Sequence, residues 1–186
     1  MNFLSAIAFL TIIPLPSRFL SIDGRQIIYF PLVGLIIGCL LCGVDQLLSL
    51  APYPEIRIVG DVLLLVIISG ALHLDGLADT ADGFFSHRPR DKILEIMKDP
   101  RIGVMGVLTI LFCVLLKLAA VAGIIRSETL IWLAIAPALG RTAQVIGLVF
   151  VNHIAAEKTL AENFYQRGEY SLLIYCPLPF AVLLYM

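Results

Sequence analysis

Charge is what this sequence has least of. Of its 186 residues only 15% are charged, against 60% apolar, and the mean hydropathy is +0.97. Soluble domains carry roughly a quarter of their residues as charges, so the shortage excludes a water-soluble globular fold and points to a polytopic membrane protein. Cysteine is scarce too, and Cys39, Cys42, Cys113 and Cys176 all sit in apolar runs. The Cys39–Cys42 spacing suits a zinc or redox pair, but no second pair or histidine cluster completes one, and the four read as small apolar helix residues. No repeat, low-complexity tract or soluble region breaks the chain, which leaves one membrane domain over residues 1–186. The apolar stretch 2–15 lacks a basic leader and is interrupted by Pro14 and Pro16. It is therefore expected to be a re-entrant or interfacial segment rather than a cleaved signal.

Long apolar runs predict membrane-crossing helices near Ile27–Leu50, Ile58–Leu74, Ile102–Ile125 and Leu130–Val151, each long enough for about 30 Å of hydrocarbon. The second is expected to continue through an acidic motif at the membrane surface. A fifth run, Ser171–Met186, holds Pro177 and Pro179 and reads as an incomplete span. The expected fold is all-α. Threading the spans places Arg18, Arg25, Arg88, Arg90, Lys92, Lys98, Arg101, Lys158 and Arg167 on one side and only Arg57 and Arg126 on the other. By the positive-inside rule the first side is cytoplasmic, giving a multi-pass protein of the cell inner membrane whose acidic motif opens to the cytoplasm.

That motif is His73-Leu-Asp-Gly-Leu-Ala-Asp-Thr-Ala-Asp-Gly83. Asp75, Asp79 and Asp82 fall at i, i+4 and i+7, so a helix projects them from one face with neighbours roughly 5–6 Å apart, where they repel unless protonated or bound to a cation. Hard carboxylate oxygens suit Mg²⁺, which usually completes its shell with substrate phosphates. Gly76 and Gly83 are expected to leave room for a ligand or a second helix. Lys98 and Arg101 flank Pro100 at the mouth of the third span, where Gly103 and Gly106 permit close approach, an arrangement suited to an anionic phosphate. Arg88, Arg90 and Lys92 read as a solvated loop. His73 stands about 200° round the helix from Asp75, so a base or metal role and a packed role both stay open. His87 and His153 read as surface residues. Arg141 and Gln144 lie deep in the fourth span, where an arginine usually faces a polar cavity and meets phosphate or carboxylate. Lys117 is unassigned. Together these groups describe a site for a phosphorylated substrate and a divalent metal, that is, phosphoryl transfer.

At these residues the sequence resembles the cobalamin synthase (adenosylcobinamide-GDP ribazoletransferase) family. The likeness runs in order through Phe9-Leu-Thr-Ile-Ile-Pro-Leu-Pro16, Tyr29-Phe-Pro-Leu-Val-Gly34, the acidic motif, Ile96-Met-Lys-Asp-Pro-Arg-Ile-Gly103 with Gly106, and Gly140-Arg141. The resemblance implies a Mg²⁺-dependent membrane transferase that joins adenosylcobinamide-GDP to α-ribazole or its 5′-phosphate, releasing GMP. It implies Asp75, Asp79 and Asp82 as metal ligands, or one of them as general base, with His73 beside them in the catalytic set. Lys98, Asp99, Arg101, Arg141, Gly76 and Gly83 become the expected substrate contacts. The bilayer is the expected surrounding, nucleic acid is not a partner, and the oligomeric state is left open. Family members continue further, with a late Gly-Thr-Gly-Asp-like segment, and nothing after Phe164 here fits it. The chain is thus expected to be a C-terminally shortened member resembling the N-terminal three-quarters. Two other classes stay in view: a truncated inactive subunit, and a divalent-cation carrier whose carboxylates form a permeation site.

Overall fold

The computed structural model describes residues 2–16, 24–151 and 170–184. Arg18, His153, Lys158, Arg167 and the stretch that follows Phe164 as far as residue 169 lie outside the described residues. Every regular element among the described residues is helical. The order is α1 (Asn2–Leu10), a 3₁₀ turn (Arg25–Tyr29) running into α2 (Phe30–Leu48), α3 (Pro54–Ile68), α4 (Leu72–Phe84), α5 (Arg90–Ile96), α6 (Val104–Arg126), α7 (Ile131–Phe150), a second 3₁₀ turn (Tyr170–Leu173) and α8 (Leu178–Leu184).

Three helices, Arg25–Leu48, Val104–Arg126 and Ile131–Phe150, are long and apolar enough to cross a membrane, which agrees with three of the expected spans to within about two residues at each end. The fourth differs. Where one helix was expected from Ile58 through Leu74 into the acidic motif, α3 stops at Ile68 and α4 leaves at 84°. The cause is a glycine stop. Gly70 has φ +57°, its N–H bonds the Ile67 carbonyl (2.9 Å), and the N–H of Ala71 bonds the Val66 carbonyl (3.0 Å). That pair of reversed bonds satisfies the last carbonyls of α3 and prevents its continuation. Ala71, also at positive φ (56°), completes the turn. At the N-terminus, α1 has only nine residues, about 13 Å of helix, too short to cross. It packs on the 3₁₀ turn and α2.

The tightest packing is α2 on α7. Gly34 and Gly38 lie directly against the backbone of Ala134, Pro137 and Ala138, so that a Cβ on Gly38 would overlap the Ala134 carbonyl. In lipid no hydrophobic drive holds two helices together, and small residues that let backbones touch take its place. Apolar side chains fill two clusters: Ala6, Leu10, Phe30, Ile37, Val145 and Val149 at the α1 end, and Leu41, Val62, Val121 and Leu133 where α2, α3, α6 and α7 meet. Of the whole of α6 only Gly106 and Val121 are buried. The four cysteines are free thiols, Cys39 exposed and the other three half-buried.

Candidate functional site

The acidic helix is anchored by one of its own carboxylates. Asp82 accepts the backbone N–H of Gly103 at 2.7 Å and of Gly106 at 2.8 Å. Gly103 is the residue just before α6, and having no side chain it cannot cap the helix itself. Asp82 supplies from α4 the carboxylate that an N-cap residue would supply locally, at the end of the helix where the dipole favours negative charge. Both glycines are required for this: a Cβ at either would press into the Asp82 carboxylate. The space that the sequence suggested for a phosphate is therefore filled by the protein's own anion. At its other end α4 shares a cavity with α6, His73 and Leu77 lying near Cys113 and Lys117. Asp82 meets the first turn of α6, and Cys113 and Lys117 lie about two to three turns further on, so α4 runs back along the first half of α6.

Asp75 is exposed and Asp79 half-buried, with no hydrogen bond to either among the described residues. Gly76 leaves open space beside them, as expected, with nothing within 4 Å of an added Cβ. Gly83 does not. It is buried, and a Cβ there would stand 2.6 Å from Met97 Cγ and 3.2 Å from Ile93 Cγ2, so it is the seat of α5 rather than room for a ligand. Among the described residues no three His, Cys, Asp or Glu side chains form a metal-ligating set. Two accessible hard-oxygen donors on one face still suit Mg²⁺, which commonly takes one or two carboxylates and fills its shell with water and phosphate oxygens.

Gly103, at the end of the α5–α6 loop, ties that loop to the Asp82 end of α4. Lys98 is exposed at its start. Arg101 and Asp99 form a fork, Nη2–Oδ2 2.6 Å and Nε–Oδ1 3.0 Å, and the Arg101 backbone N–H also reaches Oδ1 (3.0 Å). Those bonds, the guanidinium first, hold the Asp99 carboxyl down at about 2. A lowered carboxyl keeps its contact above the ordinary carboxylate range and loses it only as pH falls through about 2. The Arg101 side chain keeps 86% of its surface exposed and can turn a donor to a further anion. Arg88 and Arg90 are exposed, Lys92 pairs with Glu95 on the surface (2.6 Å), and His87 is exposed, in line with a solvated loop.

Arg141 does not join the carboxylates. It contacts the His73 ring at Nε2 and the Gln144 side-chain oxygen (3.0 Å), within a cavity of about 560 Å³ between α2, α3, α4, α6 and α7. His73 faces this cavity while Asp75, Asp79 and Asp82 do not line it, as the half-turn offset between position 73 and the acidic positions requires. Acidic face and basic cavity thus lie on opposite sides of one helix.

Two carboxylates escaped sequence reasoning. Asp45 on α2 is 1% exposed and takes a bidentate pair from Arg57 on α3 at 2.6 and 2.7 Å. Asp61, one turn past Arg57, is fully buried beside Asp45, and by distance and angle neither of its oxygens is hydrogen-bonded among the described residues. The signal was present: an isolated Asp within each of two apolar runs.

The sequence model of the cobalamin-5-phosphate synthase family matches residues 2–186. Curated relatives, each named adenosylcobinamide-GDP ribazoletransferase, include that of Geotalea daltonii (43% identical over 149 residues; 75% of this chain, 58% of the relative). Those of Brevibacillus brevis (38% over 163; 87% and 66%) and Klebsiella pneumoniae strain 342 (38% over 170; 88% and 69%) are similar. The chain spans about three-fifths to two-thirds of the length of the relatives it matches. No solved structure matches it.

Proposed function

The chain belongs to the cobalamin-5-phosphate synthase family, and on that premise we propose that it takes part in joining adenosylcobinamide-GDP to α-ribazole or its 5′-phosphate, with release of GMP. The observation that carries the reading is the division within the acidic motif: Asp82 is committed to the start of α6, which leaves Asp75 and Asp79 together on one accessible face of α4. The skew of basic residues supports a cytoplasmic position for that face, at the inner membrane.

Asp75 and Asp79 would hold Mg²⁺. When bound, the ion supplies positive charge that offsets the diphosphate oxygens and the charge building on departing GMP. The chain's own groups do the rest. Lys98 and Arg101 bind and align the diphosphate, with Asp99 keeping Arg101 extended. A free ribose hydroxyl of α-ribazole attacks the phosphorus on the cobinamide side, and one of the two available carboxylates accepts its proton. A new P–O bond forms, the bridging P–O bond breaks, and GMP leaves with the bonding pair.

The test is turnover by the purified chain in lipid, with and without Mg²⁺, for wild type and Asp79→Asn. The amide keeps the shape and removes the charge, so Mg²⁺-dependent turnover is expected to fall at least 100-fold while folded protein is retained. Wild-type turnover by Asp79→Asn at limiting Mg²⁺ would remove that carboxylate from the mechanism. No turnover by the wild-type chain would reject independent activity.

A further inference from the structure

Two buried carboxyls meet where α2 packs on α3, beside Leu41 and Val62 of the second apolar cluster. Asp45 is 1% exposed and Asp61 0%. Neither belongs to the acidic motif, which follows the bend at the end of α3. Asp45 is the sixteenth of the nineteen residues of α2 and Arg57 the fourth of the fifteen in α3, so the two flank the link 49–53. Asp61 stands four residues past Arg57, on the same face of α3, which sets it beside Asp45.

The donors at this junction are already committed. Arg57 gives Nε to Oδ1 of Asp45 and Nη2 to Oδ2, at 2.6 and 2.7 Å. The Cys42 thiol, which neighbours both carboxyls, points to the Leu130 carbonyl at 3.7 Å. Among the described residues no N–H or O–H reaches either oxygen of Asp61. From α6 and α7 the groups packed here, Leu118, Val121, Ile124, Leu130 and Leu133, are apolar. Lys117 faces the cavity that His73 lines, and Cys39, Glu55, Arg126 and Glu128 are exposed.

Two ionised carboxylates offer one another acceptors only, so placed side by side they repel, and a buried one without a donor is costly. A single proton removes both difficulties, because a carboxylic acid has an O–H to give and a neighbouring carboxylate accepts it. Asp45 has Arg57 as its counter-ion and stays ionised. Asp61, which has no donor, takes the proton.

We propose that Asp45 and Asp61 form a proton-binding site, in which Asp61 is the carboxylic acid at neutral pH and donates its O–H to the Asp45 carboxylate. The proton comes from water, and it exchanges at the end where Leu50 and Tyr53 are exposed and Arg57 keeps 21% of its side-chain surface. Its loss would leave two adjacent ionised groups between α2 and α3 and weaken their packing. An aspartate of the unfolded chain gives up its proton near about 3.9. A proton that the folded chain keeps above that value makes stability fall as pH rises. The site stands apart from the acidic face and from the reading given to it.

The test uses the purified chain in nanodiscs, wild type beside Asp61→Asn, read by infrared spectroscopy and by thermal unfolding. At neutral pH the wild type should show the carbonyl stretch of a protonated carboxyl, shifted after equilibration in heavy water and removed by Asp61→Asn. Relative to Asp61→Asn, whose amide donates to Asp45 at every pH, the wild-type Tm should fall by at least about 5 °C between about pH 5 and about pH 8. A wild type without that band, or two Tm profiles that run parallel, would overturn the proposal. So would a rise in the wild-type Tm at about pH 8 on adding Na⁺ or Mg²⁺ that Asp61→Asn lacks, since a cation would then fill the place of the proton. Failure of Asp61→Asn to fold would also overturn it, because that variant keeps the shape and the donor of the protonated state.

Discussion

Removing the Asp82 carboxylate should destabilise the fold, whereas removing either of its neighbours in the motif should not. Asp82 accepts two charge-assisted bonds at 2.7 and 2.8 Å, each of a kind that contributes about 1.5–3 kcal/mol, and one donor belongs to buried Gly106. Water can reach half-buried Gly103 and replace part of the loss, so Asp82→Ala is expected to cost about 2–4 kcal/mol. By the scaling of soluble domains of this size that is a fall of roughly 5–15 °C in Tm, read by thermal unfolding in nanodiscs. Asp75→Ala and Asp79→Ala, on the accessible side with no bond to lose, should stay within about 0.5 kcal/mol. A double-mutant cycle isolates the contact. Gly106→Ala forces a methyl into the carboxylate and should destabilise wild type, yet in the Asp82→Ala background only a 3.1 Å approach to Ile102 Cγ1 remains, and alanine's better helix propensity, about 1 kcal/mol over glycine, should offset it. The coupling should lie between about 1 and 3 kcal/mol. Equal Tm losses for Asp82→Ala and Asp79→Ala, or additive effects in the cycle, would refute the clamp.

Other substitutions probe separate parts of the fold. Gly38→Ala puts a methyl into the Ala134 carbonyl and should cost about 3 kcal/mol or more in folded yield, at the top of the range for overpacking. Gly123→Ala, with nothing within 4 Å of its Cβ, should be neutral or stabilise α6 by up to about 1 kcal/mol, and similar monodisperse yields for the two would contradict the α2–α7 contact. Asp45→Asn breaks the fork to Arg57 and should cost somewhat less than the roughly 3–5 kcal/mol typical of a fully buried pair, because Arg57 keeps 21% of its side chain exposed. Asp61→Asn should be tolerated or stabilising, since it replaces a buried carboxyl that stands beside the Asp45 carboxylate by an amide able to donate a bond to it. A larger Tm loss for Asp61→Asn than for Asp45→Asn would reverse that assignment.

Spans made of uninterrupted apolar residues were legible because length and hydropathy decide them. The break between α3 and α4 was not read, although its cause lies in two residues: Ser69-Gly70 is a helix stop, and the apolar residues on either side hid it. The paired glycines of α2 show the opposite limit. Gly34 and Gly38 suggest close packing on some helix, but only the fold can say that the partner is the Ala134–Ala138 stretch of α7. The same holds for Gly83 and Gly106, whose small size fits equally well with an empty pocket, a packed helix or a bound anion. Helix periodicity did place His73 apart from the carboxylates. It could not say that Arg141 would follow His73, because that depends on which side of α4 the fourth span approaches.

Three aspartates in one motif invite the reading that all three bind one ion, and periodicity alone supports it, since chemically identical groups share a face. Their surroundings separate them. The helix that carries them runs back along α6, so the last aspartate meets two unpaired N–H groups at the helix start and becomes part of the scaffold, while the first two project beyond that contact. The anchoring also ties the end of the α5–α6 loop to the acidic helix, because Gly103 is both the end of that loop and a donor to Asp82. If Asp82 left the clamp to bind a metal, the start of α6 would lose its cap and the basic loop its tether. The arrangement therefore divides the motif: one carboxylate fixes the geometry and two stay available on the accessible face.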